Sequence, residues 1–532
     1  MPKWLKNAIF YEIYPQSYQD TNGDGIGDFR GIINRLDYIK ELGCNAIWMN
    51  PCFDSPFYDA GYDVRDYYKA APRYGTNEEL KELFDEVHKR GMHIILDLVP
   101  GHTAIDCEWF KDSCKNEVNA YTHRYVWTNS VWDAPFRYRF IRGFCERDGS
   151  CMVNFFSTQP ALNFGFANPE QPWQFAMDSP EAMDTRQAIK DIMAFWLDMG
   201  CDGFRVDMAA SLIKGDTEDA ANIALWQDIN GFLAEKYPEA AMVSEWGQPE
   251  HAVQGGFHMD FLLHFGPSRY MDLFRTENPY FCREGKGDIK AFADRYQETY
   301  DSIYGKGYIC IPSGNHDMAR IAGKLDEEEC KIIFAFLMSM PGIPFVYYGD
   351  EIGMKYIEGM TSVEGGYFRT GARTPMQWDG SLNSGFSTAE AEKLYISMDS
   401  DENRPTVEKQ MQAENSLWKE VKKLIALRKD YTALQSDASL TFLYTKEQTY
   451  PFMYLREDAE EKILVILNPS GEDVTCELSN EAMVKLGDST DMAAGEVIYA
   501  NHGVAEYVCG VWKVPAASAT WIRLSKRFVN GS

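Results

Sequence analysis

The chain is 532 residues long and carries 80 Asp and Glu against 52 Lys and Arg, a formal net charge of −28. That acidity argues against a nucleic-acid or anionic-membrane partner, because phosphate binding is built from clustered cations. An apolar fraction of 45% with 14% aromatics argues against disorder.

The length predicts about three to four structural units. No stretch approaches the ~18 uncharged apolar residues of a membrane span, and MPKWLKNAIFYEIYPQ lacks the layout of a signal peptide. The 12 Cys include no C-x-x-C pair and read as reduced thiols of a cytoplasmic protein. Cys107/Cys114 and Cys145/Cys151 are spaced to bridge in an oxidising compartment.

In chain order, the first feature is DTNGDGIGD, residues 20–28. Asp20, Asn22, Asp24 and Asp28 with the Ile26 carbonyl place hard oxygen ligands at alternate positions, the pattern of a Ca²⁺ (or Mg²⁺) loop. It is not an EF-hand, since its twelfth position is Gly31 rather than Glu; the competing reading is an Asx-rich turn. A repeating unit follows. Ile33, Leu36 and Ile39 precede Gly43 and the strand-like NAIWMNP. Thr76 and Glu79 form a capping-box pattern ahead of Leu80, Leu83, Phe84 and Val87, with Gly91 as the stop and MHIILDLVP as a buried parallel strand. Residues 103–165 break the rhythm and are rich in aromatics, as expected of an inserted subdomain. The unit returns with Ile189, Ile192, Met193 and Trp196 before Gly200 and CDGFRVDM, and AAMVSEWG, KGYICIPSGNHD and GIPFVYYGDE read as further strands. From about 435 the runs alternate as in an antiparallel β-domain. Alternating helices and buried strands with polar residues at the strand C-termini predict an α/β fold, a (β/α)₈ barrel.

Three of those strand ends carry carboxylates: Asp207 in GFRVD, Glu245 in SEW and Asp317 in GNHD. Arg205 and His316 accompany two of them, and DLVPGH contributes Asp97 and His102. Singly, each acid reads equally well as a helix N-cap. Together and in this order the four motifs resemble the α-amylase family of retaining glycoside hydrolases and transglycosylases. The resemblance implies a barrel (domain A, 1–102 and 166–434), a domain B (103–165) after the third strand, and a C-terminal β-sandwich (435–532).

It also implies roles. A retaining hydrolase needs an ionised carboxylate nucleophile and a protonated carboxyl about 5–5.5 Å apart. Asp207 would be the nucleophile, held ionised by Arg205; Glu245 the acid/base; Asp317 a ligand of sugar hydroxyls, with His102 and His316 bonding hydroxyls of the same sugar. Tyr62 in FYDAGYD would stack under that sugar. Asp59 would pair with Arg369 of FRTGARTPMQWD and close the pocket behind one glucose, as in the exo-acting oligo-1,6-glucosidase and α-glucosidase branch. The same branch carries a single structural Ca²⁺ (or Mg²⁺) in the 20–28 loop; no organic cofactor is implied.

Three positions depart from the pattern. Gly101 stands where the third-strand motif has a calcium-ligating Asn, Ala161 replaces the acid of QPDLN, and Met208 fits neither the Val of α-1,6 enzymes nor the Ala or Thr of α-1,4 enzymes. YYGDEIGM, RTPMQWD and RPTVEKQ resemble trehalose synthases equally. The expectation is a retaining α-glucosidase on short α-glucosides. A trehalose-synthase-like isomerase or transglucosidase is the alternative, and an endo-amylase or a non-catalytic amylase-like module stands behind both.

Overall fold

A computed structural model of the protein describes residues 1–141, 145–364, 369–486 and 495–524; residues 487–494 and 525–532 of the expected C-terminal domain lie outside them. Eight parallel strands close into a barrel in sequence order: β1 (Phe10–Ile13), β2 (Ala46–Met49), β3 (His93–Leu98), β4 (Gly203–Val206), β5 (Ala241–Ser244), β6 (Met259–Phe261), β7 (Tyr308–Pro312) and β8 (Ile343–Tyr347), with β8 pairing back onto β1. The helices form where the apolar spacing places them. Helix α1 (Phe29–Leu42) is capped by the Asp28 side chain and ends at Gly43, whose φ of 107° only glycine adopts freely. Helix α2 (Asn77–Lys89) begins with the Thr76–Glu79 capping box, and α3 (Pro180–Met199) buries Ile189, Ile192, Met193 and Trp196.

Strand parity positions the chemistry. Alternate residues point inward, and Leu5, Ala8, Phe10, Ala46, Trp48, Ile95, Val243 and Phe345 pack as one cluster inside the barrel, whereas Tyr11, Ile47, Met49, Ile94 and Leu96 pack outward against the helices. Continuing the inward parity by two residues beyond Ile95, Arg205 and Val243 gives Asp97, Asp207 and Glu245. Apolar residues therefore fill the N-terminal half of the lumen, and the carboxylates converge at its C-terminal mouth, where barrels of this kind carry their chemistry.

After β3 the chain leaves the barrel. Isolated bridges pair His102 with Ala161, Tyr125 with Leu162 and Trp127 with Cys151, and Val126, Met152, Ala161, Phe166 and Trp173 form the insertion's small core. That core runs beyond residue 165, and regular barrel structure resumes only at the Ser179 cap of α3. Cys114 lies beside Cys145 rather than Cys107; burial and that neighbour push its thiol up to about 12, and all 12 cysteines are free.

The C-terminal region holds a five-stranded and a three-stranded antiparallel sheet. Leu455, Leu464, Ile466, Trp512, Val514 and Ile522 are among the residues that form the apolar cluster shared by the two sheets. No helix among the described residues is long and apolar enough to cross a membrane.

Candidate active site

At the barrel mouth a single buried guanidinium meets three carboxylates. Arg205 Nη1 donates to Asp97 Oδ1 at 2.8 Å and Asp207 Oδ1 at 3.0 Å, and its Nη2 lies 2.9 Å from Glu245 Oε1. Burial pushes Asp207 and Glu245 up to about 7 each, Arg205 opposing in both cases. Glu245 is raised further by the charge of Asp207, while a hydrogen bond from Glu245 favours the ionised form of Asp207. Near neutrality this pair shares one proton and one charge. Arg205, 2% exposed, faces carboxylates and does not border the cavity, so it positions the acids instead of touching a ligand.

A second cluster faces the first. Arg369 donates through Nη2 to Asp59 Oδ1 at 2.7 Å and through Nη1 to Asp317 Oδ1 at 2.8 Å, and Arg373 reaches the same Asp317 oxygen at 2.8 Å. Burial alone would raise Asp317, but the guanidinium groups of Arg369 and Arg373 hold it well below the carboxylate range. Asp59 also accepts from Gln159 Nε2 at 2.7 Å. The Asp59–Arg369 pair expected from the sequence is thus present, and Asp317 extends it.

The histidines are placed differently from expectation. His316 is buried, and both its ring nitrogens are engaged: Nε2 lies 2.7 Å from the Tyr62 hydroxyl, and Nδ1 lies 2.9 Å from Glu12 Oε1 and 3.1 Å from Asn50 Nδ2. Burial lowers it well below the usual imidazole value, so it is neutral and orients Tyr62, which donates onward to Asp97 Oδ2 at 2.9 Å. His102 borders the cavity, but its Nε2 lies 2.7 Å from the Tyr62 carbonyl and its Nδ1 accepts from Asn154 Nδ2 at 3.1 Å. Neither imidazole has a nitrogen left for a sugar hydroxyl in this arrangement.

Gly101 explains part of this. A Cβ there would meet Asn154 Nδ2 at 2.6 Å, so the insertion's Asn154 fills the space that a side chain at 101 would claim. Glu12, Asn50, Asn154, Gln159 and Arg373 carried no sequence signal, because each acts through a partner distant in the chain.

These groups enclose a cavity of about 610 Å³, bordered by Asp59, Tyr62, Asp207, Glu245, Asp317 and Arg369 on its charged side. Trp246 also borders it, whereas Trp48 and Phe204 lie in the core.

The 20–28 loop is a run of nested turns. Asp20 Oδ1 accepts from the Asn22 and Gly23 N–H groups at 3.0 and 2.8 Å, Asp24 Oδ1 from Ile26 N–H at 2.9 Å, and Asp28 Oδ1 from Gly31 N–H at 2.7 Å. Asp20 and Asp28 are each 5% exposed, and among the described residues no Lys, Arg or His pairs with either. Buried carboxylates without a cation are costly, and an all-oxygen donor set suits a hard divalent ion. Among the described residues no three His, Cys, Asp or Glu side chains form a metal cage by themselves. The Asn22 amide and the Ile26 carbonyl would have to complete the shell.

Comparison with known proteins identifies the family. A family model described as "Alpha amylase, catalytic domain" matches residues 12–437. The chain is 31% identical to an oligo-1,6-glucosidase of Heyndrickxia coagulans, covering 89% of this chain and 94% of that one. It is 32% identical to the trehalose synthase/amylase TreS of Mycolicibacterium smegmatis, covering 81% and 77%. Among solved structures, the trehalulose synthase MutB superposes with a TM-score of 0.81 at 24% identity, covering 98% of this chain and 100% of that one. The chain belongs to the α-amylase family and is a glycoside hydrolase of its α-glucosidase-like branch.

Proposed function

We propose that the protein is a retaining α-glucosidase that removes single glucose units from the non-reducing ends of short α-glucosides. The observation that carries this reading is the Asp207–Glu245 pair under one guanidinium, with one charge and one proton shared near neutral pH. Ionised Asp207 attacks the anomeric carbon while Glu245 protonates the departing oxygen, giving a glucosyl–Asp207 ester. Glu245, now a carboxylate, then takes a proton from water as it attacks the same carbon from the opposite side, and net retention follows. Asp317 and Arg369 bond hydroxyls of the bound glucose, and Asp59 with Arg369 blocks extension beyond it. Tyr62 supplies the stacking face.

The similarity to a trehalose synthase/amylase favours a second reading, in which the glucosyl group returns to the released sugar instead of to water. An anomer-resolved NMR time course with maltose and isomaltose separates them. α-Glucose as the first product supports the hydrolase; trehalose or longer glucosides support transfer; β-glucose as the first product refutes Asp207 as nucleophile.

The 20–28 loop is read as a structural Ca²⁺ or Mg²⁺ site through Asp20, Asn22, Asp24, Ile26 and Asp28, its charge offsetting the buried Asp20 and Asp28. Thermal unfolding at fixed pH tests this: chelator lowers Tm, Ca²⁺ restores it, and Asp24→Asn abolishes the restoration. A Tm indifferent to chelator and to added Ca²⁺ or Mg²⁺ refutes it. Twelve free thiols are in keeping with a reducing, cytoplasmic setting.

A further inference from the structure

Strand β5 ends one residue before Glu245. Its ladder with β6 has two register pairs, Val243 with Met259 and Ser244 with Asp260. On the β4 side the backbone of Glu245 is tied directly: its N–H donates to the Val206 carbonyl at 2.9 Å, and its carbonyl accepts from the Ala209 N–H at 3.2 Å. On the β6 side a side chain takes over from the ladder.

That side chain is Asp260. Met259 and Phe261 pack inside the lumen with Val243, so strand parity turns Asp260 and Ser244 outward, to the opposite face of the sheet from Glu245. Asp260 Oδ1 accepts from the Ser244 hydroxyl at 2.6 Å and from the Trp246 N–H at 3.0 Å. One oxygen thus grips the residues on both sides of Glu245.

Asp260 is wholly buried and does not border the cavity, so it reaches a substrate only through what it holds. Outward positions on other strands, such as Ile47, Ile94 and Leu96, are apolar. A buried carboxyl among them is costly unless its bonds offset the loss of water. Burial pushes it up to about 7, opposed by hydrogen bonds from Ser244 and from the backbone at Trp246, Phe261 and Gly247. Protonated or ionised, Oδ1 remains an acceptor, and the grip on Ser244 and Trp246 persists in either state.

Building on the α-glucosidase reading, we propose that Asp260 is a positioning residue for the acid: by holding Ser244 and Trp246 on one oxygen, it fixes the backbone from which Glu245 reaches the departing oxygen. The bond from the Met208 N–H to Glu245 Oε2 at 2.9 Å and the contact of Arg205 with Oε1 orient the carboxyl itself. Both depend on where the Glu245 backbone stands, and a misplacement of about 1 Å costs about 10²-fold in rate.

The test compares leaving groups. Methyl α-D-glucoside and maltose expel alcohols that need a proton from Glu245, whereas α-D-glucosyl fluoride expels fluoride without one. Because kcat/KM covers events up to glucosyl transfer to Asp207, it isolates the acid's part. Asp260→Ala should lower kcat/KM about 30- to 100-fold on maltose and methyl glucoside, and less than about fivefold on the fluoride. Asp260→Asn, which keeps an oxygen for the Ser244 and Trp246 bonds, should recover at least about tenfold of the loss on maltose. Ser244→Ala removes one bond of the two and should lower maltose activity about three- to tenfold with the fluoride rate kept; it carries the test if Asp260→Ala does not fold. Glu245→Gln serves as the benchmark for the same selectivity. Equal losses on maltose and fluoride, no loss in Asp260→Ala and Ser244→Ala, or an Asn variant as poor as Ala overturns the inference while Glu245→Gln leaves the glucosidase reading intact. A Glu245→Gln variant without leaving-group selectivity overturns both.

Discussion

Replacing Arg205 with Met tests whether one cation sets the working protonation state of the site. The guanidinium lies 3.0 Å from Asp207 Oδ1, 2.9 Å from Glu245 Oε1 and 2.8 Å from Asp97 Oδ1, all buried. With charge centres about 4 Å apart and an effective dielectric of about 20, each contact is worth about 4 kcal/mol, or about 3 pH units. Removing it raises Asp207 beyond its present value of about 7, so the nucleophile is protonated through the neutral range. The expected result is an acid limb of kcat/KM displaced upward by about 2–3 pH units, and a rate near pH 6 reduced by about 10²–10³-fold. The fold loses about 3–5 kcal/mol, less whatever the orphaned acids recover by protonation. Arg205→Lys keeps the charge but cannot span three carboxylates, so its limb falls between the two. The assay is a pH–rate profile on an activated aryl α-glucoside, with urea unfolding in parallel. An Arg205→Met limb within half a unit of wild type would refute the reasoning.

Other substitutions probe the second cluster and the protein's stability. Arg369→Ala removes the bridge between Asp59 and Asp317; kcat/KM on maltose should fall about 10²-fold and less on maltotetraose, read by chromatography, and an unchanged chain-length preference argues against a wall behind one glucose. Glu351 accepts from the hydroxyls of Tyr11 and Tyr38, and burial raises it from 4.5 to about 7. A carboxyl raised on folding favours the folded state below its unfolded pKa, and that contribution is lost as pH climbs through the folded value. Wild type should therefore lose up to about 3 kcal/mol relative to Glu351→Gln between pH 4.5 and 7; parallel pH dependences of the unfolding midpoint would contradict this. Arg456 donates to the carbonyls of Ser339, Gln435 and Ala438; Arg456→Met should destabilise by about 2–4 kcal/mol in urea unfolding, and a midpoint at the wild-type value would mean that those carbonyls find other donors.

The barrel was legible because its signals are local. A capping box, an apolar stripe and a strand of β-branched residues each fit within about 15 residues, and the α2–β3 unit follows them. β6 escaped because only Met259–Phe261 is extended, too short for a periodicity. The insertion's reach past residue 165 escaped because its core pairs Val126 and Met152 with Phe166 and Trp173, residues that share no motif. Arg428, in the last turn of the helix Leu417–Asp430, is buried and donates to the carbonyls of Met338, Met340 and Gly342 at the end of another helix. No spacing rule announces a cation that seeks backbone oxygens some 90 residues away.

The division of labour at the site follows from counting charges in the two clusters. Arg205 alone faces Asp97, Asp207 and Glu245, whereas Arg369 and Arg373 together face Asp59, Asp317 and Glu364. One buried cation cannot hold three buried anions, so the first cluster keeps protons: burial raises Asp97 to about 6 and Asp207 and Glu245 to about 7. Two cations shared by three acids leave Asp317 ionised, although burial still lifts Asp59. A group that must exchange a proton belongs where cations are scarce, and one that must remain a hydrogen-bond acceptor belongs where they are plentiful. Sequence spacing placed Arg205 beside Asp207, but closure of β3, β4 and β5 side by side is what adds Asp97 and Glu245 to the same guanidinium and creates the deficit.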